Sequence, residues 1–342
     1  MTSKNTPTSI RTVVVGAPVA VTAIAFSILD VLASAGRGWE TLHGEQPGPP
    51  KFQGSLRTLD GQEYRDVNGR VVMPDGRLDS GATPDLIVVP ALDLDPRSPL
   101  PDLLLPVAAW VAHCHSQGSI VASVCSGAMV LAASGLLDGQ EATTHWAFAD
   151  GLARRFPAVK VRRERILIPA GEGHRVITAG GTSAWTDLVL YLIGRFSGEV
   201  TARHVAKSWL LDPHSVGQLT YASLAAGRQH EDRLVADGQA WAADHYSHPT
   251  PVAAMAERSG LTERSFLRRF KRATGLTPVE YVQRLRIEEA KQLLETTKLP
   301  IDEIAAEIGY SEPSSFRSAF RKQVGQPATA YRRRWSMIAH TE

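Results

Sequence analysis

The sequence predicts an α/β amino-terminal domain followed by an all-α carboxy-terminal domain. Between residues 11 and 195, apolar runs typical of buried strands alternate with helix-like stretches. The strand signals stop after about residue 196, and nearly every segment from Leu234 onward has the pattern of a short helix. A block of residues within this helical part recurs at an offset of 49 or 50. The length of 342 residues, at about 150 residues per domain, also suggests two domains.

Charge and cysteine content exclude several classes of protein. Lys and Arg number 37 against 35 Asp and Glu, and the net charge of +2 excludes a histone-like or acidic disordered chain. The two cysteines, Cys114 and Cys125, cannot build a disulfide framework, and no Cys/His cluster has zinc-finger spacing. We therefore expect reduced thiols, a cytoplasmic location, and neither a metal nor a cofactor.

The uncharged stretch Thr12–Leu29 allows three interpretations. It resembles a signal peptide because small residues follow at 33–36, and it is long enough to be considered as a membrane span. The third interpretation is a buried strand over Thr12–Val15, a turn at Pro18, and a helix ending near Leu32. The nucleic-acid-binding features described below favour this third interpretation, and no membrane partner is expected.

The apolar runs of the first domain predict a mostly parallel sheet covered by helices on both faces. The predicted strands are Thr12–Val15, Asp85–Pro90, Ser119–Val124, Arg165–Pro169 and Arg175–Ala179. Between two of them, Leu103–Gln117 has apolar residues at the spacing of one helix face. Residues 55–82 contain three turn dipeptides, namely Asp-Gly twice and Asn-Gly once, which predict a β-hairpin excursion.

The helical part contains a tandem repeat. Residues Pro251–Thr262 match Pro300–Ser311, and a pair of phenylalanines recurs 50 residues later. The matching phenylalanines are Phe266 and Phe270, then Phe316 and Phe320. Each copy has the pattern of a helix, a glycine-containing turn and a second helix. This is the helix-turn-helix pattern, in which the second helix enters the major groove of DNA.

Inward-facing phenylalanines would leave basic and polar residues on the outer face of each second helix. These residues are Arg264, Leu267, Arg268 and Lys271 in the first copy, and Ser314, Arg317, Ser318 and Arg321 in the second. Arginine suits guanine edges or phosphates. Residues 251–342 hold 16 Lys and Arg against 11 Asp and Glu. For any single arginine a solvated helix face is the simpler interpretation, but the duplicated basic pattern favours DNA binding.

Residues 238–336 resemble the DNA-binding domain of the AraC/XylS family. The motifs that carry the resemblance include Gly275–Tyr281, Arg284-Leu285, Leu293-Leu294, Gly309-Tyr310 and Tyr331-Arg332. The resemblance implies two recognition helices in successive major-groove segments of double-stranded promoter DNA, with base-reading positions at Arg264, Leu267, Arg268, Pro313, Ser314, Arg317 and Ser318. It also implies a homodimer and RNA polymerase as partners. Pro313 and Ser318 are less suited to base reading than the residues of the first helix. We therefore expect the second recognition helix to position the protein on the DNA more than to discriminate between base pairs.

A candidate reactive site follows the strand Ser119–Val124, which leads into Cys125-Ser126-Gly127 and a helix-like stretch. A nucleophile on a sharp strand-to-helix turn is held exposed beside backbone N–H groups, but a small buried cysteine is an equally good interpretation. Twenty residues later, His145 is a candidate base, a ligand-binding group or a structural residue. The turn Gly180-Gly181-Thr182 offers bare backbone to a ligand.

Residues 11–195 resemble the DJ-1/PfpI branch of the class I glutamine-amidotransferase-like fold, which implies a flavodoxin-like three-layer α/β/α architecture. The whole chain resembles the GlxA-type regulators, which join such a domain to an AraC-type tail. Residues 196–237 are then a linker with a connecting helix. The motifs most like that group are Gly135–Gly139, Thr143–Trp146, Asp212-Pro213-His214 and Gly217-Gln218.

The chain departs from enzymes of this class because no glutamate follows its first strand. The first acid is Asp30, which is either the counterpart of an aspartate in isonitrile-hydratase-like relatives or an ordinary helix residue. We therefore expect a regulator rather than an enzyme, with Cys125, His145 and Asp30 as a vestigial catalytic set. The effector, an amino acid or amine, is expected to contact Cys125, Ser126, His145, Trp146, Gly180, Gly181 and Thr182. The alternatives are a cysteine-dependent hydrolase or hydratase with a DNA-binding tail, and redox sensing through Cys125.

Overall fold

The computed structural model of the chain describes residues 9–214, 217–218, 221 and 232–339, and it divides into two compact units. Unit 1 is Met1–Gln218 and unit 2 is Leu219–Glu342. The uncharged segment near the amino terminus forms strand β1, Ile10–Val15, and helix α1, Thr22–Ala33. The prediction of a strand, a turn and a helix is therefore confirmed. No helix in the described ranges is both long and apolar enough to cross a lipid bilayer.

Unit 1 alternates strands and helices. The further strands are β2 Phe52–Thr58, β3 Tyr64–Arg65, β4 Val71–Val72, β5 Gly76–Arg77, β6 Leu86–Val89, β7 Ile120–Val124, β8 Glu141–Ala142, β9 Lys160–Val161, β10 Leu167–Ala170 and β11 Val176–Ala179. The further helices are α2 Gly38–Leu42, α3 Leu105–Ser116, α4 Ala128–Ala133, α5 Ala149–Arg155, α6 Trp185–Ser197 and α7 Glu199–Trp209. The main sheet has the order β10-β11-β7-β6-β1-β2-β5, and within it only the pair β10–β11 is antiparallel.

Apolar residues fill both faces of this sheet. On one face, side chains such as Val13, Ile87 and Val121 pack against α3 and α4. On the other face, side chains such as Val14 and Val88 pack against α1 and α6. This alternation along buried parallel strands produces three layers, as predicted from the sequence. The carboxyl ends of β1, β6, β7 and β11 meet at one edge of the sheet, where ligands bind in open α/β folds.

The hairpin predicted over residues 55–82 is only part of what this segment forms. Strands β3 and β4 pair antiparallel, but β2 and β5 belong to the main sheet, where β2 pairs in parallel with β1. Only Phe52, Leu56 and Thr58 of β2 are buried, so this strand lacks the continuous apolar run of a central strand. Turn dipeptides reveal local reversals, but they carry no information about such a non-local pairing.

Part of the predicted linker folds with unit 1. Helix α7 packs against α6 and α2, although the sequence places residues 199–209 in the linker at 196–237. The later part of that linker includes residues 222–231, which lie outside the described residues.

Unit 2 consists of seven helices in its described part. They are α8 Arg233–Asp244, α9 Pro251–Arg258, α10 Glu263–Thr274, α11 Pro278–Thr296, α12 Ile301–Glu307, α13 Pro313–Val324 and α14 Ala328–Ala339. The pairs α9–α10 and α12–α13 are the two predicted helix-turn-helix units, and all four predicted phenylalanines are completely buried. Helix α11 joins the units. Its Tyr281 and Val282 belong to the first core, whereas Ile287, Ala290 and Leu294 belong to the second.

A second set of contacts holds the loop before α9 against the turn between α12 and α13. Arg286 of α11 donates hydrogen bonds to the carbonyls of Tyr246 (2.8 Å) and His248 (3.0 Å) in that loop. Gly309 in the turn has a φ of 85°, and a Cβ atom there would lie 2.6 Å from the carbonyl oxygen of Ser247. Glycine is thus required both by the backbone conformation and by the close approach of the loop.

We expect Gly309→Ala to destabilise unit 2 more than Gly275→Ala. Gly275 also has a positive φ, 77°, but no atom lies within 4 Å of the place that a Cβ atom would take, so alanine there costs only the left-handed strain of about 1–2 kcal/mol. At Gly309 the loop must also move. Hydrogen exchange of the α11 amides measures the difference, and equal protection in the two variants would contradict the close contact.

Candidate ligand site and nucleic-acid interface

Cys125 occupies the strand-to-helix turn that the sequence predicts. Strand β7 ends at Val124, and Cys125 begins a single helical turn that continues into α4. Its φ of 56° lies in the left-handed region, which is strained for a residue with a side chain. The side chain is nevertheless buried, with 5% of the residue exposed. The turn therefore has the backbone of a nucleophile elbow but does not expose the thiol as an active elbow would.

The surroundings of the thiol favour its protonated form. The Sγ atom lies 3.5 Å from Oγ1 of Thr182. Burial raises the pKa of the Cys125 thiol above its ordinary value, while hydrogen bonding to Thr182 and Ser126 offsets only part of that effect. The reactive thiolate is therefore scarce at neutral pH.

The other two candidate catalytic residues do not complete a relay with Cys125. The Nδ1 atom of His145 accepts a hydrogen bond from the backbone N–H of Ala147 (3.1 Å), and burial lowers the pKa of the imidazole. Asp30 is exposed on α1. Among the described residues, neither side chain forms a hydrogen bond with Cys125. A general base for the thiol is thus missing from the set that the sequence proposed.

The predicted ligand contacts differ in how available they are. The Ser126 hydroxyl is fully buried and already has its partners. It donates a hydrogen bond to the carbonyl of Leu92 (2.5 Å) and accepts one from the Leu92 N–H (2.8 Å). By contrast, Thr182 is exposed, and His145, Trp146 and Gly181 are half-buried. The imidazole and indole rings of His145 and Trp146 lie 5.0 Å apart between centroids. A ligand can therefore reach this second group, whereas Ser126 has a structural role.

Sequence reasoning missed the part that Gln218 plays beside this site. Its buried side-chain carboxamide forms hydrogen bonds with residues 143–146 and with the carbonyl of Arg165. Asp187 of α6 pairs with the ring of His214 (2.6 Å) and accepts a hydrogen bond from the His214 backbone N–H (2.9 Å). The only signals in the sequence were the motifs at 212–214 and 217–218, which indicated a family resemblance but no contact.

Helix α10 presents a cationic outer face. Arg264, Arg268 and Lys271 are exposed and Leu267 is half-buried, and together they line a shallow groove with Glu263 and Thr277. The helix is capped by the Thr262 side chain, which accepts from the Ser265 N–H, and it ends at Gly275 in the left-handed conformation. None of these three cations forms an ion pair within the described part of the chain. The sequence-predicted residues of this helix thus share one accessible surface.

The outer face of α13 is less cationic. Pro313 lies in the first turn, as predicted, while Ser314, Arg317, Ser318 and Arg321 are exposed. The Arg317 guanidinium forms an ion pair with Asp302 of α12. This pairing holds one of the two arginines of the predicted face close to the protein.

Each of the two units contains a segment that matches a known protein family. Residues 53–193 match the model of the DJ-1/PfpI family, and residues 255–334 match that of a helix-turn-helix domain. The chain is 29% identical to the HTH-type transcriptional regulator CdhR of Pseudomonas aeruginosa over 79% of this chain and 78% of that protein. It is 30% identical to the HTH-type transcriptional regulator GlxA of Rhizobium meliloti over 64% of this chain and 66% of that protein.

A crystal structure from Vibrio parahaemolyticus, with a provisional assignment as a transcriptional regulator, shares the fold. The TM-score is 0.51 at 20% sequence identity, and the match covers 59% of this chain and all of the other. Together with the family matches, the fold and the two sites define a two-domain DNA-binding transcription regulator. The chain joins a DJ-1/PfpI domain to an AraC-type helix-turn-helix domain, and the relatives that it matches are named as the transcriptional regulators CdhR and GlxA. Its relatives are named as regulators, in agreement with the expectation of a regulator rather than an enzyme.

We expect Cys125 to react slowly with iodoacetamide at neutral pH. Because burial raises its pKa, the thiolate should accumulate only above the ordinary titration range of a cysteine, and the alkylation rate should still be rising at about pH 9. Mass spectrometry of a Cys114→Ala variant, in which Cys125 is the remaining cysteine, measures this rate against pH. A midpoint near or below about pH 8 would contradict the protonated thiol and favour the hydrolase alternative.

Proposed function

We propose that this regulator binds promoter DNA sequence-specifically through α10 and α13, and that a small metabolite bound near Cys125 controls the binding. The observation that supports this most strongly is the cationic groove of α10 on a helix anchored by two buried phenylalanines. A helix with this division of faces can enter the major groove without exposing its core. Arginines in the groove suit guanine edges, and lysines suit phosphates.

The two recognition helices have different roles in this proposal. Arg264, Leu267, Arg268 and Lys271 of α10 provide base reading and phosphate contacts. The outer face of α13 carries Pro313 and the exposed residues Ser314, Ser318 and Arg321. Its remaining arginine, Arg317, forms an ion pair with Asp302. The second helix therefore contributes mainly to positioning on the DNA backbone. Binding should also fall steeply with salt, since the phosphate contacts release counterions.

The proposed effector is an amino acid or amine. Trp146 and the neutral His145 supply an aromatic wall for a cation, and Gly181 and Thr182 supply polar groups at the carboxyl edge of the sheet. Binding must favour one of two conformations to change DNA affinity. A homodimer acting with RNA polymerase in the cytoplasm completes the proposal.

Replacing Arg268 with alanine tests the DNA-binding half. We expect affinity for a direct-repeat operator to fall by about 1–3 kcal/mol, with relaxed preference at one base pair, because a bidentate contact is lost. Fluorescence anisotropy with operators varied at single positions measures both effects. Arg97→Ala is the matched control, because it removes one exposed arginine from unit 1 and so changes net charge equally. Equal weakening on all sequences would reassign Arg268 to a phosphate.

Replacing Cys125 with alanine tests the sensing half. We expect unchanged DNA affinity without effector, and loss of the ligand response, because Cys125 contacts the effector but not DNA. A thermal-shift screen of amino acids, amines and small amides identifies a stabilising ligand, and the variant is then titrated with it. A response equal to that of the unmodified chain would remove Cys125 from the site. Turnover of the ligand that disappears in the variant would instead establish the hydrolase or hydratase alternative.

A further inference from the structure

The last residue of unit 1 inserts its side chain into a closed polar socket. Gln218 is only 2% exposed, and its carboxamide is enclosed by groups from three separate segments of the chain. The Nε2 atom lies within hydrogen-bond distance of three acceptors, namely Oγ1 of Thr143 (3.1 Å), the carbonyl of Thr144 (2.9 Å) and the carbonyl of Arg165 (2.8 Å). The Oε1 atom accepts from the backbone N–H of Trp146 (3.2 Å).

This set of groups is complementary to a primary carboxamide. A carboxamide donates two hydrogen bonds through its nitrogen and accepts through its oxygen, and the socket offers acceptors on one side and a donor on the other. A carboxylate in the same place would face the carbonyls of Thr144 and Arg165, with which it forms no hydrogen bond. A hydroxyl or an apolar group would leave several buried polar groups without partners.

The shape of the socket is as specific as its hydrogen bonds. A Cβ atom on Gly180 would lie 2.1 Å from Nε2 of Gln218. The φ of Gly180 is not in the left-handed region, so the backbone itself does not require glycine at this position. Glycine is therefore needed to leave room for the amide nitrogen.

The socket adjoins the candidate effector site. The Thr144 hydroxyl donates to the carbonyl of Cys125 (2.8 Å), and Thr182, two residues after Gly180, contacts the Cys125 thiol. The chain entering the socket is also held at His214, whose ring lies between Asp187 and the Ser183 hydroxyl (3.3 Å). Unit 2 begins at Leu219, immediately after the socket.

We propose that this socket is a binding site for a primary carboxamide, that Gln218 is its resident occupant, and that a metabolite with a terminal carboxamide competes with Gln218 for it. Displacement releases the last residue of unit 1 from the socket immediately before unit 2 begins. The regulatory consequence rests on the proposed function, whereas recognition of the carboxamide does not.

Chemical complementation of Gln218→Ala tests the recognition. The variant retains Cβ and lacks the atoms that correspond to acetamide. We expect acetamide to raise the melting temperature of this variant in a saturable manner, and N,N-dimethylacetamide and acetate to give no such rise. Gln140→Ala is the matched control, because Gln140 is half-buried in the same unit and its side chain accepts a hydrogen bond from the Gly171 N–H outside any such socket. Acetamide should not stabilise that variant.

Gly180→Ala provides an independent variant, since its methyl group expels the amide by filling the socket. We expect it to lose stability without any acetamide response. If acetamide stabilises Gln218→Ala no more than its dimethyl analogue does, or stabilises Gly180→Ala equally, the carboxamide site is refuted. That failure would leave sequence-specific DNA binding intact, and the Arg268→Ala measurement would still report on it separately.

Competition is measured in the unmodified chain. We expect propionamide to increase hydrogen exchange in a peptide spanning residues 211–221 at concentrations that saturate the Gln218→Ala variant. Unchanged exchange at those concentrations would show that the ligand does not displace Gln218, and would overturn the competitive part of the proposal.

Discussion

The burial of one long helix by two cores is the constraint on which the arrangement of unit 2 depends. Tyr281 at the start of α11 packs with the first helix-turn-helix, and Leu294 near its end packs with the second. Because both cores include the same rigid helix, neither helix-turn-helix can turn without disrupting its packing. Arg286 adds a polar connection across the same region. For the DNA binding proposed above, this rigidity sets the relative orientation of the two helix-turn-helix units before DNA is bound.

The same packing decides which side chains can contact DNA. Phe266 and Phe270 are completely buried, so the opposite side of α10 must face outward with its arginines. In α13 the same logic applies, but the ion pair between Arg317 and Asp302 changes the electrostatics of the surface. Surface ion pairs are weak, typically about 0–1 kcal/mol, so a phosphate can compete for Arg317. The two repeats thus have the same core and different outer faces.

Unit 1 retains the backbone turn of a reactive cysteine site, but in the part of the chain that the structure describes it does not have the exposed thiol and the contacting base that such a site uses. Cys125 keeps a strained φ, yet its thiol is buried and no base contacts it among the described residues. A strained turn of this kind persists only if surrounding contacts enforce it. Here the Thr144 hydroxyl binds the Cys125 carbonyl, and Gln218 binds the Thr144 carbonyl in turn. The turn is therefore connected through hydrogen bonds to the end of the domain, which is a suitable arrangement for sensing rather than turnover.

The sequence by itself determined the features that depend on local pattern. Continuous apolar runs predicted the central strands, and the repeated phenylalanine spacing predicted both helix pairs, because periodicity reports which face of an element is buried. The parallel pairing of the strand Phe52–Thr58 with β1, the Asp302–Arg317 pair and the socket for Gln218 were decided only by the tertiary structure. The side-chain amide of Gln218 donates a hydrogen bond to the Thr143 hydroxyl, 75 residues away in the chain, and no local sequence pattern encodes such a contact. Hydrogen bonds of this kind depend on where the whole fold brings two segments together. The strand-to-helix turn at Cys125 could therefore be predicted from the sequence, whereas the hydrogen bonds around it could not.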